Sequence, residues 1–277
     1  MNYHSDIEIS RNVFRHMAIA DANHPSNSYI FGVFNQGSAN YGLDYEDSDT
    51  DTKCILLPNF ETVVSSKDQI SFNHVMDNDE HIDFKDIRLY MDLFKKQNHN
   101  FLEILFTEYY YVEEKSIPLW KRLREKREEI THFDYVRSFK SFKGIASDKF
   151  HALEHPYPSK MNIINAWGYD PKQLHHLLRI YEFVTRFING ESYEECLHSK
   201  QAEYLIRVKQ GLHELEFARR IAEETYQKVH DICNEQIEKH KNDIIDQSIS
   251  DLLDDVAYTS IRDNCKRELM NEIIRTI

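Results

Sequence analysis

The stretch SYIFGVFNQGSANYGLDYEDSDTDTKCILLP, residues 28–58, places a glycine–serine pair and a run of acidic side chains between two apolar segments. The segments SYIFGVF and TKCILLP are rich in β-branched and aromatic residues and predict buried strands. A surface turn needs neither Gly37-Ser38 at the exit of one strand nor Asp49-Thr50-Asp51 at the entrance of the next. We therefore expect this stretch to carry both the fold and the chemistry.

The glycine–serine pair predicts a phosphate-binding turn. Gly37 lets the backbone approach a ligand closely, and the chain then continues as a short turn or helix through Tyr41. We expect Gly37, Ser38 and Tyr41 to belong to the nucleotide-binding site. Free amides at such a helix start, together with the Ser38 hydroxyl, suit a phosphate group.

The acidic residues predict a metal site. If the second strand begins near Ser48, alternation of side chains puts Asp49 and Asp51 on one face. Two carboxylates in that position can hold Mg²⁺ or Mn²⁺, which also binds the phosphates of a nucleoside triphosphate (NTP).

A calcium loop and a solvated turn account for the acidic run less well. A twelve-residue calcium loop starting at Asp47 would put Thr52 where glycine is required and Pro58 where glutamate is required. An acidic turn on the surface, with no metal, would not need the Gly37-Ser38 pair before it or the two predicted strands on either side.

Composition limits the class of protein. The chain has 277 residues and a net charge of -13, from 34 basic and 47 acidic residues, which opposes non-specific attraction to a phosphate backbone. It has no apolar run of the roughly 20 residues that cross a bilayer, and its start lacks a leader pattern, so we expect a cytoplasmic protein that does not enter the membrane. The four cysteines are far apart and form no CxxC pair, which predicts reduced thiols.

The pattern along the chain changes character near residue 115. Short β-rich runs separated by helical stretches lie between about residues 27 and 115, and almost everything beyond Pro118 has helical spacing. We predict an α+β protein, with a small mixed sheet in an α/β head (1–115) and an all-helical region (116–277). One helix is sharply delimited, by an Asp170-Pro171 start and an Asn189-Gly190 stop.

The segment GSANYGLDYEDSDTD, residues 37–51, resembles the signature of the DNA polymerase β-like nucleotidyltransferase superfamily. The longer pattern, with Asn-Tyr-Gly and then Ser-Asp-x-Asp, is similar to a group of predicted nucleotidyltransferases of bacteria and phages. The resemblance implies that Ser38 and its backbone hold the triphosphate, and that Asp49 and Asp51 bind two metal ions. It also implies a third carboxylate on a neighbouring strand, acting as metal ligand and often as base.

The third carboxylate is expected within DNDEHIDFKDIRLYM, residues 77–91, whose candidates are Asp79, Glu80, Asp83 and Asp86. The apolar alternation of Ile82 and Phe84 puts Asp83 on the opposite face, and Asp86 is expected to cap the next helix. We predict Asp83; a shifted register would replace it with Glu80 or His81. Glu103, in the following NHNFLEILFTE, fits a structural role better than a catalytic one.

A second motif, GYDPKQLHHLLRIYEF, residues 168–183, places Lys172, His176 and Arg179 on one helix face. It also resembles the predicted nucleotidyltransferase group. We interpret Lys172 and Arg179 as ligands of nucleotide phosphates, with His176 assisting. The alternative is a solvated basic face beside a histidine that packs on the core. A zinc site is disfavoured because neither HExxH nor a cysteine pair is present.

These features predict a metal-dependent nucleotidyltransferase that moves a nucleoside monophosphate (NMP) from an NTP to a hydroxyl and releases pyrophosphate. The acceptor is a protein, a small molecule or an RNA end, and the acidic balance disfavours a long RNA. The alternative is an NTP-binding module, or an antitoxin-like partner, that keeps the fold without the activity.

Two further patterns leave alternatives open. The stripe of Leu252, Leu253, Val256, Tyr258 and Ile261 predicts an amphipathic C-terminal helix that packs on its own head; a homo-oligomer through these helices is the second use. The three tyrosines at residues 109–111 suit either a half-buried strand or a platform for stacking a base.

Overall fold

The computed structural model describes residues 3–65 and 68–276. These residues form two compact units. The sheet unit comprises residues 3–40, 46–65, 68–133 and 245–276, and the helical unit comprises residues 41–45 and 134–244. The predicted domain boundary between residues 115 and 116 stays a prediction.

The sheet unit contains a five-stranded sheet of order β3-β4-β2-β1-β5. The strands are β1 (Ser28–Gln36), β2 (Asp51–Pro58), β3 (Ser71–Val75), β4 (His81–Asp86) and β5 (Tyr110–Val112). The pairing of β2 with β4 is parallel and the other pairs are antiparallel. The small mixed sheet and the α+β class are thus confirmed, and SYIFGVF and TKCILLP are its two long adjacent strands.

The helices in chain order are α1 (Asp6–Asn23), α2 (Ser38–Tyr41), α3 (Phe60–Val64), α4 (Ile87–Lys95), α5 (His99–Leu102), α6 (Ile117–Glu125), α7 (Arg127–His132), α8 (Tyr135–Ala152), α9 (Met161–Trp167), α10 (Pro171–Ile188), α11 (Tyr193–Leu197), α12 (Ala202–Lys209), α13 (Leu215–His240) and α14 (Gln247–Thr276). The first of them was not predicted. Its sequence signal is a capping box, in which Ser5 accepts from the Glu8 amide and the Glu8 side chain accepts from the Ser5 amide.

One face of the sheet packs against α1. Val13 and Ala20 of α1 form a buried cluster with Cys54, Leu56, Ile82, Phe84 and neighbouring residues of β1. Because side chains alternate along a strand, residues 51, 53, 83 and 85 lie on the other face, where α4 packs against β2 and β4. Any chemistry of the acidic strand therefore belongs to the α4 face.

Phe84 anchors the strand that carries Asp83. Its ring is fully buried and stacks on Phe72 with centroids 4.5 Å apart. Replacing Phe84 with Ala leaves a cavity, so we expect the free energy of unfolding to fall by about 3–5 kcal/mol in urea titrations. The matched control is Phe14→Ala, whose ring is 66% exposed on α1 and whose loss should change the stability little.

The last helix, α14, packs within the sheet unit against α4 and β2. Leu253 and Val256 are fully buried there, which confirms packing on the head. The predicted stripe is wrong at Tyr258, which is 64% exposed, because the buried stripe continues instead through Ser260 and Asn264. A homo-oligomer through α14 stays a prediction.

The helical unit is built around α8, α10 and α13, which pack on one another. The limits of α10 are as predicted: the Asp170 carboxylate accepts from the Lys172 amide at 2.9 Å, Pro171 is the first helical residue, and Asn189 caps the end. Helix α13, Leu215–His240, lies in the region beyond Pro118 for which helical spacing was predicted.

Two chain-wide features complete the fold. No helix within residues 3–65 and 68–276 combines the length and apolar character that crossing a membrane requires. The four cysteines, all within the described residues, are free thiols, and Cys54, Cys196 and Cys233 are buried.

Candidate active site

The Gly37 turn at the end of β1 requires glycine. Gly37 has φ +94°, and no heavy atom lies within 4 Å of the position that a Cβ would take. Its amide donates to Glu103 Oε1 at 3.1 Å, and Glu103 is almost completely buried. The Gly37 amide is therefore engaged within the protein, so a phosphate site at this turn depends chiefly on Ser38, the first residue of α2.

The chain after Ser38 is fixed by a side-chain network. Asn40 donates through Nδ2 to the Asn35 carbonyl at 2.9 Å, and its Oδ1 accepts from the Thr107 hydroxyl at 2.7 Å. All three side chains are buried. The turn is thus tied both to β1 and to the segment that precedes β5.

The acidic strand begins later than predicted. The ladder between β1 and β2 ends at the pair Gln36–Asp51, because the Gly37 turn takes the chain away from its partner beyond that point. The prediction of a strand start near Ser48 is therefore wrong. Asp49 lies exposed on the preceding loop, whereas Asp51 opens β2 and its Oδ1 accepts from the His81 amide at 3.0 Å.

Helix α1 holds the threonines that flank Asp51. Asn12 Nδ2 donates to Thr50 Oγ1 at 3.1 Å, and His16 Nδ1 lies 2.9 Å from Thr52 Oγ1. Both threonines are directed toward α1, so the Asp51 carboxylate is turned to the opposite face of the sheet. Sequence analysis missed this role of α1.

His16 also connects the strand to Glu80. Its ring is fully buried, and Nε2 lies 3.2 Å from Glu80 Oε2, which accepts from Arg15 as well. Burial lowers the pKa of His16 more than Glu80 raises it. Glu80, an alternative third carboxylate, is thus engaged with α1.

Asp83 lies on the face predicted for it. In the parallel register Lys53 is opposite Asp83, while Ile82 and Phe84 are buried on the α1 face. Asp83 therefore shares the α4 face with Asp51. Its role as third metal ligand stays a prediction.

Asp86 has the capping role that the sequence predicted. Its Oδ1 accepts from the Arg88 amide at 2.9 Å at the start of α4, and its Oδ2 accepts from Arg88 Nη2 at 2.6 Å. Asp86 is fully buried in this position.

Two lysines contact the Asp83 carboxylate. Oδ2 accepts from Lys53 Nζ at 3.3 Å and Oδ1 accepts from Lys85 Nζ at 2.8 Å. The Lys53 ammonium also lies 3.9 Å from the centre of the Phe101 ring. Burial lowers the pKa of Lys53, and Asp83 opposes that shift. In the sequence, Lys53 is two residues after Asp51 and Lys85 is two residues after Asp83. Residues two apart in a strand lie on the same face, and this spacing was the signal for both lysines.

The structure brings some, but not all, of the predicted metal ligands together. Asp51 and Asp83 share one face of adjacent strands, and Asp49 precedes them on the loop. In the part of the chain that the structure describes, no three side chains of His, Cys, Asp or Glu converge closely enough to hold a metal ion. The donor set nevertheless consists of carboxylate oxygens, which suit a hard cation such as Mg²⁺ or Mn²⁺.

The helical unit contains a basic cluster, defined by Lys149 of α8 and by Lys172, His176 and Arg179 of α10. Arg179 is 7% exposed, and its guanidinium carbon lies 3.8 Å from the centre of the Tyr41 ring. Burial and the neighbouring basic groups hold the pKa of His176 well below its usual value, so its imidazole is neutral at pH 7. Lys149 was missed because it lies on another helix.

His175 is the core histidine of α10. It is buried, with Nδ1 2.8 Å from the Leu205 carbonyl, and burial lowers its pKa to about 3. It therefore belongs to the packing of the helical unit, next to the basic cluster.

This low pKa predicts a pH-dependent stability. Below the ordinary pKa of about 6.5 the unfolded chain binds a proton on His175 that the folded chain does not, so acidification favours unfolding. Between pH 6.5 and pH 5 we expect the protonation of His175 in the unfolded chain to lower the free energy of unfolding by about 2 kcal/mol. Urea titrations of His175→Gln should show a pH dependence shallower by that amount, and the exposed His155→Gln should match the wild type.

Comparison with known proteins agrees with the motif. The model of RlaP, the RNA repair pathway DNA polymerase beta family, matches residues 19–240. DNA polymerase β is a nucleotidyltransferase. The function of this protein is therefore of the nucleotidyltransferase type. The chain belongs to the RNA repair pathway DNA polymerase beta family, and the resemblance of residues 37–51 is thereby confirmed.

A solved structure is also similar. The nucleotidyltransferase-like protein from Exiguobacterium sibiricum 255-15 is 11% identical, over 81% of this chain and 74% of its own, with a TM-score of 0.30. Membership of the family follows from the match to the family model and not from this structure. Comparison with curated proteins gave no match.

Proposed function

We propose that this protein is a metal-dependent nucleotidyltransferase that moves an NMP from an NTP to an acceptor hydroxyl and releases pyrophosphate. The observation that carries the proposal is the placement of Asp51 and Asp83 on one face of two adjacent parallel strands, directly after the loop that holds Asp49. Family membership supplies the reaction class.

Asp49, Asp51 and Asp83 would hold Mg²⁺ or Mn²⁺. Bound there, the metal would neutralise phosphate charge and orient the reacting groups. The contact between α1 and the two threonines keeps Asp51 directed at that face. Lys53 and Lys85 hold the Asp83 carboxylate by ion pairs.

The reaction itself needs few groups from the protein. The acceptor oxygen bonds to the α-phosphorus, the bond to the pyrophosphate oxygen breaks, and the hydroxyl proton is assigned to Asp83 as base. The Ser38 hydroxyl donates to a phosphate oxygen beside the Gly37 turn. For the helical unit by itself, we propose that Lys172 and Arg179 can bind phosphate groups as cations, and that the neutral His176 can do so as a hydrogen-bond donor.

The acceptor is the next question. The description of the matched family refers to an RNA repair pathway. A terminal hydroxyl of RNA is therefore the first acceptor to test. The net charge of -13 favours instead a protein or small-molecule hydroxyl.

The test is incubation of the purified protein with each α-³²P-labelled NTP and Mg²⁺ or Mn²⁺. Total RNA, total protein and a metabolite extract serve as separate acceptors. The proposal is supported if the wild type transfers label to one acceptor class and the Asp49→Asn, Asp51→Asn double variant does not. Transfer that is equal in the two proteins would contradict it.

One observation favours a second function, an NTP-binding module without transferase activity. The proposed third carboxylate, Asp83, is already paired with Lys53 and Lys85. This function predicts NTP binding without pyrophosphate release for every acceptor. Release that depends on Asp49 and Asp51 would exclude it.

A further inference from the structure

The two lysines that contact Asp83 come from different strands. Lys53 lies opposite Asp83 in the parallel register of β2 and β4, and Lys85 follows Asp83 by two residues in β4 itself. Their ammonium groups contact different oxygens: Lys53 Nζ lies 3.3 Å from Oδ2, and Lys85 Nζ lies 2.8 Å from Oδ1. Each oxygen of the Asp83 carboxylate is therefore hydrogen-bonded to a cation.

Lys53 is held in place by its surroundings. Its side chain is only 4% exposed, and its ammonium lies 3.9 Å from the centre of the Phe101 ring. Moving this ammonium away from Asp83 would leave a buried charge without its carboxylate partner, which is unfavourable. Lys53 is thus a fixed counter-ion of Asp83.

Lys85 has a second acceptor within reach. Its side chain is 16% exposed, and its ammonium also donates to the Ser71 hydroxyl at 3.3 Å. Ser71 is exposed, and it lies opposite Lys85 in the antiparallel register of β4 and the edge strand β3. An ammonium group has three N–H donors, so Lys85 can leave Asp83 and still donate to Ser71 and to water.

We propose that Lys85 is a releasable counter-ion of Asp83, and that it lowers the affinity of this carboxylate for a divalent cation. Hard cations such as Mg²⁺ and Mn²⁺ bind carboxylates through their oxygens, so Lys85 competes with them for Oδ1. When only molecules with Oδ1 free bind the cation, the apparent affinity falls with the fraction of molecules in that state. Lys53 stays on Oδ2 throughout. That Asp83 is a metal ligand rests on the proposed function.

The test is binding of Mn²⁺ alone to the full chain, measured from the electron paramagnetic resonance signal of the free ion. Lys85→Met should bind Mn²⁺ about tenfold more tightly than the wild type, because a charged hydrogen bond that competes for Oδ1 is removed. Lys85→Arg keeps a cation beside Asp83 and should bind like the wild type. Circular dichroism establishes that each variant is folded.

Two comparisons separate this contact from charge in general. Arg11→Met removes an exposed cation from α1, which packs on the other face of the sheet, and it should bind Mn²⁺ like the wild type. In the Asp83→Asn, Lys53→Met background, the addition of Lys85→Met should give no gain, because the carboxylate that Lys85 contacts is gone.

The outcomes separate the role of Lys85 from the proposed reaction. Equal Mn²⁺ affinity in Lys85→Met and the wild type, including no binding by either, overturns this role even if NMP transfer is observed. A gain that also appears in Arg11→Met, or that persists without the Asp83 carboxylate, reduces the effect to charge and overturns it as well. A gain that depends on Asp83, in a protein that transfers no label, keeps the role of Lys85 and removes the transferase activity.

Discussion

Replacing both Asp49 and Asp51 with Asn should reduce NMP transfer by at least about a thousandfold, because the two carboxylates are proposed to hold the metal that neutralises phosphate charge. The fold should persist. Asp49 is exposed on a loop, and an Asn at residue 51 retains an oxygen that accepts from the His81 amide. The measurement is the initial rate of label transfer at saturating NTP, beside a thermal unfolding curve for each protein.

Asp47→Asn is the matched control for this variant. Asp47 is an exposed acid of the same loop, and it does not belong to the predicted metal ligands. Its replacement should leave the rate within about twofold of the wild type, as expected for a surface substitution. An equal loss in Asp47→Asn would show that the general acidity of the loop, and not the two predicted ligands, supports the reaction.

Replacing Asp83 with Asn should have two separate effects. Transfer should fall by about a hundredfold or more, because a metal ligand and base is removed. The free energy of unfolding should also fall, by about 3 kcal/mol, because Lys53 is left buried without its carboxylate partner. Lys53 has only 4% of its side chain exposed, so water cannot replace the lost partner.

A second substitution separates the two effects. In Asp83→Asn, Lys53→Met the buried cation is gone, and an unbranched apolar side chain lies beside Phe101. We expect stability close to that of the wild type, with transfer still lost. Recovery of both stability and transfer would show that Asp83 only neutralises Lys53, and would favour a different third ligand.

The sequence predicted the parts of the fold that rest on local pattern. The alternation of Ile82 and Phe84 placed Asp83 correctly, since both apolar side chains have to reach the α1 face. The Asp170-Pro171 start of α10 followed from capping alone. The strand start near Ser48 was wrong because the start of β2 is decided by its partner β1 and the Gly37 turn, which local pattern does not contain.

The site residues that were missed are those brought in by tertiary packing. His16 lies far along the chain from Thr52, and Lys149 lies on a different helix from Lys172. Neither residue belongs to a motif. In the sequence, each looks like any other polar residue of an amphipathic helix. Only the packing of α1 on the sheet, and of α8 on α10, brings them close to those residues.

The most direct test of nucleotidyl transfer compares label at two positions of the same NTP. With α-³²P-NTP and the acceptor found in the screen, the wild type should label the acceptor. With γ-³²P-NTP it should release the label as pyrophosphate and leave the acceptor unlabelled. Acceptor labelled from the γ-position would make the protein a phosphotransferase, and no movement of either label would contradict the activity that we propose.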